Sequence, residues 1–119
     1  MRLGVLSDLH ANLPALEAAL EALRAEGVDE VLVLGDLVGY GPHPRQVIHR
    51  IWEEGLAAIA GAWDLRVAYP LPGPLPEGVG KATLEWTRAQ LGEKELAYLR
   101  SLRLSHRKSY GGMRLVAFH

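Results

Sequence analysis

Asp8 and His10 stand two residues apart in Ser7-Asp8-Leu9-His10-Ala11-Asn12, directly behind the apolar run Leu3–Leu6. A carboxylate and an imidazole offered together suit zinc, iron or manganese, whereas calcium prefers all-oxygen sites. In an extended loop, residues two apart project to the same side, so this spacing predicts that both face one ion. Asp36 follows a second apolar run, Val31–Leu34, and comes after Gly35, which lets the backbone turn sharply and present the side chain. Its two carboxylate oxygens are able to bridge two ions. Two ions ~3.5–4 Å apart stabilise both the attacking and the leaving oxygen at phosphorus. A third polar segment, Gly61-Ala62-Trp63-Asp64, follows the run Leu56–Ala60. Each residue also has a structural reading: Asp behind a strand forms turns or caps helices, and Asn12 is placed to cap a helix beginning near Leu13. The joint pattern, Asp-x-His and then Gly-Asp, each behind an apolar strand, is much sharper than any one of its members.

The elements that must position these residues alternate. Leu3–Leu6 reads as a short buried strand. Helical spacing follows over Leu13–Glu26, with Leu13, Leu16, Leu20 and Leu23 on one side, Pro14 in the first turn and Gly27 as the stop. Val31–Leu34 is a second strand, Arg45–Glu54 a second helix and Leu56–Ala60 a third strand. Short buried strands alternating with helices predict an α/β fold with a mostly parallel, helix-flanked sheet. Ligands of such sheets bind at the carboxyl ends of the strands, where all three polar segments lie. Ala68–Gly80, dense in proline, is expected to be a surface loop. Lys81–Leu91 and Glu93–Leu102 read as two helices, with Trp86, like Trp52 earlier, expected to pack. Ser105–Tyr110 and Met113–Phe118 read as a hairpin around Gly111-Gly112. His49 is expected to be solvated, and His106 to be an exposed strand residue.

Composition narrows the function classes. The 119 residues are 49% apolar and 23% charged, with a formal net charge of −1. This argues against a strongly basic nucleic-acid binder and an acidic disordered tail. The absence of cysteine excludes disulfides and thiolate metal sites. No apolar run approaches the ~20 residues that span a bilayer, and the N-terminus lacks a secretory pattern, so a cytoplasmic protein is expected. Asn occurs once and Gln twice, a depletion seen in thermophile proteins and also produced by a GC-rich genome.

Ser7–Ala18 (Ser-Asp-Leu-His-Ala-Asn-Leu-Pro-Ala-Leu-Glu-Ala) and Gly35–Pro42 (Gly-Asp-Leu-Val-Gly-Tyr-Gly-Pro) resemble the first two motifs of the calcineurin-like metallophosphoesterases, most of all their small prokaryotic branch. The resemblance runs the length of the chain and implies the N-terminal part of the family's four-layer αββα sandwich. It implies that Asp8 and His10 hold a first metal, that Asp36 bridges two, and that His119 sits where the family has a ligand for the second. The metal would be Mn, Fe, Zn or Ni, and the substrate a phosphoester small molecule or nucleotide.

The departures from the family are equally specific. Where the family has Gly-Asn-His followed by Asp or Glu, this chain has Gly61-Ala62-Trp63-Asp64. Ala62 replaces a metal-binding Asn, and Trp63 replaces the His that contacts phosphate and assists departure of the leaving group, so no catalytic residue of that motif is intact. The family's final Gly-His-x-His motif lies beyond the position of His119. At most one tightly bound metal and weak or absent hydrolysis are therefore expected. The same comparison leaves the strand Met113–Phe118 without its family cover, so a homo-oligomer or a partner supplying the missing half is expected. Candidate substrate contacts are Asn12, His43 in Gly41-Pro42-His43-Pro44, and Trp63, the last either filling vacated space or stacking on a ligand ring. The competing readings are a non-catalytic binding or regulatory module and a Rossmann nucleotide-binding domain. The latter is disfavoured because Ser7–Asn12 contains no glycine to admit a pyrophosphate.

Overall fold

The computed structural model describes residues 1–69 and 77–119. Its elements run β1 (Leu3–Leu6), α1 (Leu13–Ala25), β2 (Glu30–Val33), α2 (Pro44–Glu53), β3 (Ala57–Ala58), α3 (Ala62–Ala68), α4 (Val79–Gln90), α5 (Glu93–Ser101), β4 (Ser105–Tyr110) and β5 (Met113–Phe118). The first three strands form a parallel sheet in the order β1-β2-β3, with Gly4 opposite Val31 and Leu6 opposite Val33. β4 and β5 form the expected antiparallel hairpin. Among the described residues, no helix is long and apolar enough to cross a membrane.

Helices flank the sheet because their apolar stripes need a surface to cover. Leu16 and Leu20 of α1, Val47, Ile48 and Ile51 of α2, Val67 of α3, Leu84 of α4 and Leu99 of α5 are all buried in one cluster with Val33. A side chain at Gly4 would press on Leu23 at 3.0 Å, so the glycine lets α1 lie directly on β1. On the opposite sheet face Leu32 is buried, while Val5 is half exposed. There the hairpin approaches: Leu3 shares a small cavity with Tyr110, Met113 and Leu115, and Lys108 pairs with Glu30 at 2.8 Å.

Several expectations need correction. The third strand is only two residues long, because after Val33↔Ala58 the chain changes partner and Ile59 bridges Arg103. Residues 62–68 form a helix rather than a bare loop, because Asp64, three residues past the N-cap Gly61, accepts the Gly61 N–H at 2.9 Å. The proline-rich loop shrinks at both ends, with α3 reaching Ala68 and α4 starting at Val79; its middle, residues 70–76, lies outside the described residues. Trp86 and Trp52 are exposed rather than packed, although Trp52 stacks on Tyr98 at 5.9 Å. His49 is half-buried against Glu95 at 2.9 Å, and His106 pairs with the Tyr110 hydroxyl at 3.2 Å, so neither is simply solvated.

Candidate metal centre

The first two loops at the carboxyl ends of the parallel strands are stapled together by main-chain hydrogen bonds. The Asp8 N–H donates to the Gly35 carbonyl at 3.0 Å, His10 to Asp36 at 2.9 Å and Ala11 to Leu37 at 2.8 Å. This pairing bends the first loop. Asp8, His10 and Ala11 take φ of 57°, 45° and 55°, and Asp36 and Tyr40 take 52° and 67°. The loop is therefore not extended as the spacing suggested; Asp8 and His10 converge through left-handed turns. Such backbone costs about 1 kcal/mol or more per non-glycine residue, and it persists only where surrounding contacts over-determine it. The second and third loops touch through two glycines. A side chain on Gly61 would lie 2.3 Å from the Asp36 nitrogen, and one on Gly35, at φ 90°, would lie 2.6 Å from the Gly61 nitrogen.

Asp8, His10 and Asp36 offer donor atoms that all lie within 4.8 Å of one another. His10 Nε2 is 3.8 Å from Asp8 Oδ1 and 3.7 Å from Asp36 Oδ2. His119 joins from the end of β5, its Nε2 3.5 Å from the same Asp36 Oδ2. Each donor is held by a second contact. The Ser7 hydroxyl donates to Asp8 Oδ2 at 2.6 Å, and the Trp63 N–H donates to Asp36 Oδ1 at 3.0 Å. His119 Nδ1 lies 2.6 Å from the Leu34 carbonyl, and His10 Nδ1 lies a longer 3.4 Å from that of Val38. A carbonyl only accepts, so each imidazole donates from Nδ1 and leaves Nε2, the ring nitrogen nearer Asp36, as the position a metal would take. That is how outer contacts orient metal-ligating histidines. Bonds of about 2.0–2.2 Å to a tetrahedral ion put donors roughly 3.3–3.6 Å apart. The observed 3.5–3.8 Å spacings about Asp36 and His10 lie at or slightly above that range, and the all-N/O donor set suits a small divalent transition ion.

The Leu34 carbonyl, with Asp36 and Asp8 nearby, raises the pKa of His119 above the usual 6.5. In the metal-free chain this favours the protonated ring in the folded state, so its contribution to stability is present at low pH and is lost as pH rises through the raised pKa. An ion competes with the proton at Nε2. Manganese affinity should therefore weaken as pH falls through that range while the metal-free chain becomes more stable. Calorimetric titrations across pH 5.5–8, beside melting curves without metal, check the opposed slopes.

The remaining predicted residues are distributed differently. Asn12 takes its structural role, its Oδ1 accepting the Ala15 N–H at 3.0 Å as the N-cap of α1. His43 occupies the N-cap position of α2 without a side-chain cap, and its buried Nδ1 has no hydrogen-bond partner among the described residues. Trp63 is 7% exposed. It packs with Gly39 against its ring, Tyr40 edge-on at 4.6 Å and the Arg66 guanidinium at 5.2 Å. It fills space rather than offering a stacking face. Ala62, exposed on α3, brings no donor.

Two residues at the site escaped the sequence reading. Asp64 is fully buried and accepts from Leu37 at 2.9 Å, Val38 at 3.2 Å and Gly61 at 2.9 Å, locking the second loop to the third. Its signal was the acidic residue three places past Gly61. Tyr40 lies edge-on to His10, ring centroids 5.3 Å apart; its signal was an aromatic side chain between two glycines.

The sequence pattern of the calcineurin-like phosphoesterase superfamily domain matches residues 1–119. A metallophosphoesterase structure from Sphaerobacter thermophilus is 38% identical, with a TM-score of 0.72 over 89% of this chain and 43% of that one. A hypothetical protein from Pyrococcus horikoshii OT3 is 31% identical, with a TM-score of 0.83 over 96% of this chain and 52% of its own. The phosphodiesterase YfcE of Escherichia coli is 34% identical over 68 residues, which is 50% of this chain and 37% of that protein. The chain thus spans about half the length, or less, of these relatives.

Proposed function

The chain belongs to the calcineurin-like phosphoesterase superfamily, and on that premise we propose that it holds a divalent transition ion through Asp8, His10 and Asp36, with His119 at its edge, and binds phosphoesters there. The observation that carries this reading is the common aim of the two histidines. Both are fixed at Nδ1 by a main-chain carbonyl, and both present Nε2 to Asp36 Oδ2 at 3.5–3.7 Å. A bound divalent ion supplies Lewis acidity towards a phosphoryl oxygen. Asp36 Oδ1 accepts the Trp63 N–H, and Oδ2 is the oxygen that faces both histidines. One ion has three protein ligands in Asp8, His10 and Asp36. A second would have only Asp36 and His119, because Ala62 offers no donor.

Hydrolysis of a phosphodiester, the activity named for the E. coli relative, is extended here only in weak form. The indole N–H of Trp63 donates hydrogen bonds but is far too weak an acid to protonate a leaving group, and the ring is packed away. Burial of Trp63 favours a second reading, a phosphoester-binding module without turnover. Residues 1–119 are read as one domain of a cytoplasmic protein. The exposure of Leu104, Met113, Val116 and Phe118 supports a second copy or a partner chain over the hairpin.

Metal analysis beside an assay with an aryl phosphodiester and manganese tests the proposal. One retained equivalent is expected, with turnover at least about 100-fold below a complete family member, since a general acid contributes about 10²–10⁴-fold. Retention of no ion would sink the metal centre. Two equivalents with ordinary turnover would sink the assignment of a degraded site.

A further inference from the structure

Tyr40 belongs to two surroundings at once. One side of its ring meets His10 of the metal centre, centroids 5.3 Å apart at 74°. The same residue lines a groove of ≈420 Å³ with Pro42, Val79, Ala82, Thr83 and Trp86, running between the second loop and α4. No ionisable acid, base or imidazole is among these side chains apart from the Tyr40 phenol. Val79 and Trp86, seven residues apart on α4, lie on one face away from the buried Leu84 and Thr87 and are 75% and 44% exposed. Tyr40 itself is half exposed, takes φ 67° and lies edge-on to the buried Trp63.

We propose that this groove seats a planar aromatic group carried by the phosphoester, a nucleobase or an aryl ring, while the phosphoryl group lies at the metal centre. The inference rests on the function proposed above and adds the substrate class. A charged group entering the groove would give up hydration for no partner. A flat uncharged ring gains contact with the aromatic lining. A saturated alkyl group lacks the π-face that Trp86 and Tyr40 complement. Continuity with the centre through Tyr40 puts such a ring on the same molecule as the bound phosphate.

Calorimetric titration of the manganese-loaded chain with phenyl phosphate, AMP and methyl phosphate, repeated on Trp86→Ala, tests this. Trp86 is exposed and outside the metal centre, so the variant keeps its fold and its ion. Phenyl phosphate is expected to bind about tenfold tighter than methyl phosphate, as base–aromatic stacking allows. Trp86→Ala should bring the ratio close to one and leave methyl phosphate unchanged. Loss of AMP affinity in the variant identifies a nucleobase as occupant, and loss confined to phenyl phosphate identifies a simple aryl group. Equal wild-type affinities for phenyl and methyl phosphate, or a preference that survives Trp86→Ala, overturns the groove while leaving the centre intact. Failure of all three esters to bind brings down the phosphoester-binding reading and this inference with it.

Discussion

Asp36→Asn should leave the chain folded and weaken manganese binding by more than about 100-fold, because even the outer partners of a metal ligand are worth about 10–100-fold. The two oxygens of Asp36 have separate duties. Oδ1 accepts the Trp63 N–H, while Oδ2 faces both His10 and His119. Asparagine keeps an acceptor for Trp63 and puts an uncharged NH₂, a donor, where the two imidazoles converge. The melting temperature should therefore change little while the ion is lost. Asp36→Ala removes both functions and in addition orphans a buried N–H, a cost of about 1–3 kcal/mol. Calorimetry with manganese and urea denaturation of both variants separate the two duties. An Asp36→Asn protein that still binds manganese as wild type does would show that the cluster is not a metal site.

Asp64→Ala is expected to destabilise the chain by about 4 kcal/mol, a large fraction of the stability of a small domain. One carboxylate accepts three main-chain donors, from Leu37, Val38 and Gly61. Each buried donor left alone costs about 1–3 kcal/mol, and the gain from no longer burying the carboxylate offsets part of the sum. Burial raises the Asp64 pKa from 3.8 to about 6 against the opposing pull of those N–H groups. The folded state thus holds its proton more firmly than the unfolded state, so ionisation withdraws stability as pH rises from about 4 to about 6, with a plateau above. Asp64→Asn, which cannot ionise, should lack that slope. Urea denaturation of wild type and both variants at pH 4, 5, 6 and 7 checks the size and the sign. A wild-type curve parallel to that of Asp64→Asn would contradict the assignment.

The strand–helix alternation was legible because Leu3–Leu6, Val31–Leu34 and the leucine stripe of α1 follow simple periods. The positions of Asp8, His10 and Asp36 were legible for the same reason: strand ends of a parallel sheet share an edge. The manner of their convergence was not. Left-handed backbone at Asp8 and His10 arises from hydrogen bonds to Gly35 and Asp36, contacts 26 or 27 residues away that no local pattern carries. The same holds for Trp63. Its chemistry left open a stacking face or a space filler, and only the closeness of Gly39 and Tyr40 selected the second. α3 was missed because seven residues carry too little periodicity to stand out beside a proline-rich stretch, and its stabilising contact at Asp64 also serves a loop far away in sequence.

The main-chain staples between the first two loops give the cluster a fixed aperture. At the proposed metal centre, an arriving ion would meet donors held close together, with two nitrogens and few oxygens. Calcium asks for six to eight oxygens at about 2.3–2.6 Å, and a cluster offering two imidazoles and two carboxylates would meet that demand poorly. Any discrimination among ions at such a centre would then be decided by the donors the fold gathers, before an ion is met.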